Sequence, residues 1–116
     1  MSETLIDKEA WERMKSMTGP AFLGELIDVF LKDSPDLIKE MRSGLMSGNV
    51  ERVRRAAHSL KSNSASFGAD RLAEVARELE MIAKSGTLDG GESKLSAVEA
   101  EYGRLLPVLE ELKNGC

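Results

Sequence analysis

The sequence predicts an all-α fold: an antiparallel four-helix bundle with short additional covering helices, one of them at the N-terminus. Apolar residues recur at spacings of three and four along nearly the whole chain, and strand-like alternation is absent. Only three prolines and 4% aromatic residues stand among many Leu, Ala, Glu, Lys and Arg, a balance that favours helix. The segments are joined by short turns, which makes consecutive helices antiparallel neighbours.

Six helical segments follow from periodicity and punctuation. The first runs from about Asp7, its N-cap, to Ser16, with Trp11 and Met14 on one face, and Gly19-Pro20 breaks it. The second runs from about Ala21 to Lys32. Phe22, Leu26 and Phe30 form one stripe and Leu23, Ile27 and Leu31 the next, wider than one buried stripe needs. Ser34 caps a third helix with Pro35 at its first position, where the missing N–H costs nothing. Leu37, Ile38, Met41 and Leu45 form its face, and Gly48 stops it. The fourth spans about Asn49 to Phe67, with Val50, Val53, Ala57, Leu60 and Ser64 on one side and Gly68 at its end. Asp70 caps the fifth, which carries Leu72, Val75, Ala76, Leu79 and Ile82 and ends near Gly86. A Gly-rich loop, Ser85 to Gly91, leads to a sixth, about Glu92 to Lys113, in which Pro107 marks a kink or break. The second, fourth, fifth and sixth are expected to form the bundle, with the first and third as covers.

The 116 residues imply a single domain with one modest core. The motif-bearing part lies at about 20–85 and the C-terminal helix at about 92–113. Apolar residues at 41% and charged residues at 31% are those of a folded, water-facing domain. A net charge of −4 argues against a general nucleic-acid binder. No apolar run approaches the ~20 residues of a membrane span, and Met1 to Glu9 lack a signal-peptide pattern. The one cysteine, Cys116, excludes an internal disulfide and a cysteine metal site. A cytoplasmic protein is therefore expected.

His58 is the only histidine. At about 100° per residue it lies roughly 100–130° from the centre of the apolar side of its helix. It shares its stripe with Arg54, Lys61, Ser62 and Ala65, so it is expected on the flank of the bundle, open to water and to a partner. A lone helical histidine is more often an ordinary surface or core residue. The combination here is more specific. A cation follows one turn on at Lys61, and the small residues Ser62, Ser64, Ala65 and Ser66 remove bulk near it. Such a face lets a protein partner bring an acyl phosphate close.

Ala57-His58-Ser59-Leu60-Lys61-Ser62, followed by Ser64, Ala65, Phe67-Gly68, Leu72 and Leu79-Glu80, resembles the histidine-containing phosphotransfer (HPt) domains of phosphorelays. Phe30-Leu31-Lys32-Asp33-Ser34-Pro35 and Ser47-Gly48-Asn49 look like the same family, so the likeness covers about residues 20 to 85. It implies that His58 accepts the phosphoryl group, with Lys61 and Ser62 beside it. Ser62 stands where the family often has glycine. Glu80 matches a position where some members place a polar side chain near the histidine, and it is expected to orient the imidazole. The implied partners are response-regulator receiver domains and a hybrid histidine kinase. Arg54 and Arg55, with Ala65 and an apolar patch of Phe22, Leu23 and Ile27, are expected to dock the receiver. A monomer is expected, with one face open.

Phosphoryl transfer also needs charge neutralisation on the moving oxygens. The sequence has no Gly-x-x-x-x-Gly-Lys-Ser/Thr loop and no evident carboxylate cluster for magnesium. A carrier without its own ATP, metal or cofactor site is expected, its catalysis supplied by the partner. Two other readings are weighed. The phosphoacceptor bundle of a histidine kinase usually has an acidic residue directly after its histidine and a proline a few positions on. Here Ser59 follows, and no proline occurs between Pro35 and Pro107. A helical adaptor with an incidental histidine is the second.

Overall fold

In the computed structural model, residues 6–114 are described; Cys116 lies outside them. Those residues form five helices: α1 (Lys8–Thr18), α2 (Pro20–Ser47), α3 (Val50–Ser66), α4 (Asp70–Lys84) and α5 (Gly91–Asn114). No strand occurs among them. Helices α2 to α5 close into the antiparallel four-helix bundle, in which α3 packs on α2 and α4 while α5 completes the ring against α4 and α2. No helix among the described residues is long and apolar enough to cross a membrane.

The main departure from expectation is α2, one 28-residue helix where two were expected. At ~1.5 Å per residue it is long enough to run the 41 Å length of the molecule. Ser34 is not an N-cap but a fully buried side chain, and Pro35 lies inside the helix. The proline removes the N–H that would meet the Leu31 carbonyl; the Tyr102 hydroxyl lies 3.5 Å from that oxygen instead. The apolar stripe runs straight through the proline. Leu23, Ile27, Phe30, Ser34 and Met41 are buried, with Leu37, Ile38 and Leu45 packed beside them. Burial of both halves on one face outweighs the lost bond. Helix α5 likewise passes through Pro107 without a break. The carbonyl that this proline leaves unbonded belongs to Gly103, which is exposed and open to water.

The hairpin that aims α3 is built locally. Gly48 ends α2, and the Asn49 side chain caps α3 by accepting from the Arg52 N–H at 3.1 Å. At Gly44 a Cβ would lie 2.7 Å from Val53 Cγ2, so the two helices approach more closely there than any larger residue allows. Ala69 rather than Asp70 occupies the N-cap of α4, and Asp70 sits in its first turn, where a negative charge still suits the helix dipole.

Helix α1 lies over the start of the bundle. Its Asp7 N-cap accepts from the Glu9 N–H, as expected, and the Asp7 N–H donates to the Gly68 carbonyl at 2.6 Å. Gly68 holds φ +72°, and a Cβ on it would come within 2.9 Å of Ala10 Cβ. Trp11 of α1 and Ile6 before it are buried in the same core cluster as Leu23, Ile27 and Phe30 of α2. Helix α1 touches α2, and the bundle covers α2 through α3 and α5.

Candidate functional site

Helix α3 buries Val53, Ala56, Ala57, Leu60 and Ser64. His58 falls on the flank between this stripe and solvent, with its side chain 57% exposed. Across from it, α4 buries Leu72, Ala76, Leu79, Glu80 and Ala83. Glu80 therefore occupies a core-facing position with a side chain only 4% exposed, and it is not the freely solvated residue its charge suggests. Its two oxygens are divided. Oε2 lies 2.7 Å from His58 Nδ1, and Oε1 lies 2.9 Å from Lys61 Nζ.

This geometry sets the protonation pattern. Burial works to raise the Glu80 pKa, but the hydrogen bonds from Lys61 and His58 and their charges outweigh it, so the carboxyl is held below its ordinary value. An ionised carboxylate accepts only. Nδ1 of neutral His58 therefore carries the ring proton and donates it to Glu80, which leaves the Nε2 lone pair free on the exposed edge.

Beside the histidine, α2 and α3 form an open groove lined by Asp33, Asp36, Leu37, Glu40, His58, Ser59, Ser62 and Asn63. It continues along α3 past Asp33 and Asn63 to a second hollow lined by Leu26, Val29, Phe30, Ser66 and Phe67. A third, against α1, is lined by Ala10, Arg13, Met14, Met17, Ala65 and Ser66.

The sequence-predicted residues divide accordingly. His58, Lys61 and Glu80 come together, Ser62 lines the groove with His58, and Ala65 is exposed at the third hollow, against α1. Leu23 and Ile27 do not form a surface patch: both are fully buried, because the stripe read as surplus packs within the core. Phe22 alone of that trio is exposed. Arg54 is tied to Glu51 through two nitrogens, and Arg55 is largely exposed with a longer contact to the same carboxylate. Ser64 is a core residue and leaves no open space on the face. The sequence reading missed Val29 and Met17 as exposed apolar residues and the carboxylates of α2 as neighbours of His58. Val29 falls just outside the Phe22 edge of the two predicted stripes of α2, a signal that was legible.

Fold and site together define a class: a helical bundle that presents one carboxylate-backed histidine on an open face. The Hpt domain family matches residues 25–113, and the chain belongs to it. It is similar to the phosphorelay protein LuxU of Vibrio harveyi, with 30% identity over 88 residues, 76% of this chain and 77% of that protein. LuxU of Vibrio cholerae serotype O1 is 38% identical over 63 residues, which span 54% of this chain and only 56% of that protein. The fold matches that of histidine-containing phosphotransfer protein B from Pseudomonas aeruginosa PAO1 with a TM-score of 0.93 at 23% identity, covering 99% of each chain. Histidine phosphotransfer in phosphorelays is the function of this family, whose members are carriers rather than classical enzymes and interact with receiver domains and histidine kinases.

Proposed function

We propose that His58 is the phosphoryl acceptor of this chain, taking the group from a receiver aspartate and passing it to another, with the acidic magnesium pocket supplied by the receiver. The observation that carries this is the placement of the only histidine: exposed, on a rigid helix, with Nδ1 held 2.7 Å from a buried carboxylate.

In the forward step, Nε2 attacks phosphorus in line. The bond from phosphorus to the aspartyl oxygen breaks, the aspartate leaves as a carboxylate with that electron pair, and the P–Nε2 bond forms. The ring keeps its Nδ1 proton and becomes positively charged. Glu80 neutralises that charge without having to move, and the reverse step returns the group by the same path. Lys61 starts on Glu80 Oε1, one turn from His58, and its ammonium turns toward the phosphoryl oxygens when they arrive. Ser62 borders the same groove with a small side chain that lets the receiver approach.

Docking uses the apolar surface of the two hollows beyond the groove in place of the patch first expected. Met14 and Met17 from α1, Leu26 and Val29 from α2 and Ala65 from α3 supply it, with Met17 78% and Val29 54% exposed. The domain acts as a monomer in the cytoplasm, with this face free. Incubation with a receiver domain carrying labelled aspartyl phosphate tests the reading. Label should move to this chain in an acid-labile, alkali-stable bond. Persistent absence of transfer from a panel of loaded receivers would favour the adaptor reading.

A further inference from the structure

The face around His58 is divided by charge. On its α2 side stand Asp33, Asp36 and Glu40, which line the groove with the histidine. Glu40 is taken up by Arg52 through bonds of 3.0 and 2.7 Å, whereas Asp33 and Asp36 are exposed to solvent. On the α3–α4 side lie Lys61 on Glu80, then Arg54 and Arg77, each held by a carboxylate of its own helix and each within reach of the Glu80 charge.

A bare phosphate acceptor is poorly served by this arrangement. The arriving group carries close to two negative charges at neutral pH, and the carboxylates beside His58 repel it. No three His, Cys, Asp or Glu side chains among the described residues are placed to share a metal ion, so the acidic wall is not a cation cradle. Its repulsion is removed if a cation covers it in the docked complex, and the cation must then come from the partner protein. Opposite charge on the far side of His58 gives the partner a direction as well. A receiver whose acidic pocket faces Lys61, Arg54 and Arg77 necessarily lays another part of its surface over α2.

We propose that Asp33 and Asp36 are specificity-determining residues that select receivers carrying Lys or Arg on the surface that docks over α2, and that the divided face sets the receiver's orientation. The inference rests on the reading of His58 as a carrier that exchanges phosphate with receivers. Rim charges of this kind act mainly on the encounter rate and on rejection of wrong partners.

The test uses one receiver domain, charged on its aspartate with acetyl phosphate, that transfers to the wild-type chain. Transfer is followed as kcat/KM at low salt and at about 0.5 M salt, where exposed charges are strongly screened. D33K/D36K should lower kcat/KM about tenfold or more at low salt, and D33N/D36N should fall between the two. The gap should shrink at high salt. A receiver whose Lys and Arg residues on that surface are replaced by Glu should regain transfer with D33K/D36K. Both aspartates are exposed, so circular dichroism of the variants should match wild type. Equal low-salt kcat/KM for wild type and D33K/D36K, or a loss that salt does not relieve, overturns the inference. His58→Gln run in parallel separates the two claims. If that variant still takes up phosphate, the carrier reading itself fails; if it does not and D33K/D36K behaves as wild type, only the charge selection fails. If no receiver charges the wild-type chain, both fall together.

Discussion

At the scale of single residues, the site is a division of labour around Glu80. Its buried carboxylate holds His58 Nδ1 with one oxygen and Lys61 with the other. Glu80→Gln should keep the fold but lose the acceptor-only carboxylate, so that either ring nitrogen can be protonated. Transfer should slow several-fold to tenfold, which is on the order of 1 kcal/mol in the barrier. The signals of the one histidine in nitrogen NMR should shift from a fixed Nδ1–H tautomer to a mixture; an unchanged tautomer would remove Glu80 from its positioning role. The pH dependence has a definite sign. Glu80 titrates below its ordinary value of 4.5 in the folded chain, so its stabilisation is fully present above the unfolded value and is lost as pH falls through the folded one. In urea unfolding, the stability gap between wild type and Glu80→Gln should be constant near neutrality and close in acid. Lys61→Ala should slow transfer and shorten the lifetime of phosphorylated His58 several-fold, an effect of about 1 kcal/mol that salt reduces. His58 and Lys61 were legible from sequence as a pair one turn apart on the flank of the helix. The burial of Glu80 was legible too, since it follows Ala76 by four residues inside an apolar stripe, but the resemblance supplied only its position. Its division between two partners required the relative height of α3 and α4, which no local pattern encodes.

At the scale of elements, two connections decide where α3 points. Gly68 carries the link from α3 to α1, with a positive φ and no room for a Cβ. Gly68→Ala should therefore destabilise the chain by about 1–2 kcal/mol or more, whereas Gly86→Ala, also at positive φ but with open space around it, should cost less. Chemical denaturation of the two variants checks this, and equal losses would mean that the close approach to Ala10 and Asp7 has no weight. Asn49→Ala should cost about 1 kcal/mol through its lost cap. The caps at Asp7 and Asn49 were readable as local chemistry. The continuity of α2 was not, because Ser34-Pro35 has the signature of a helix start and only the stripe from Ile27 to Met41 argues the other way. That stripe is decisive once α3 and α5 are there to cover it. The same tertiary cover explains why Leu23 and Ile27 vanish into the core, a cluster that Trp11 of α1 also joins.

At the scale of the whole molecule, the bundle serves as a rigid mount. The antiparallel ring of α2 to α5 buries one face of every helix and leaves the His58 side chain exposed on the flank of α3. All-helical architecture and four-helix packing were legible because apolar spacing repeats throughout; the charge division around His58 was not, since it joins residues of three helices. The proposed function of the chain rests on one atom of one side chain, Nε2 of His58. Its most direct test is phosphate uptake by His58→Gln from a receiver that charges the wild-type chain. The substituted side chain is exposed and contributes little packing, so the helical signal should be unchanged. Wild type should acquire acid-labile, alkali-stable phosphate and the variant none. Phosphate of the same lability on a folded His58→Gln chain would contradict the account, because the sequence offers no second histidine to carry it.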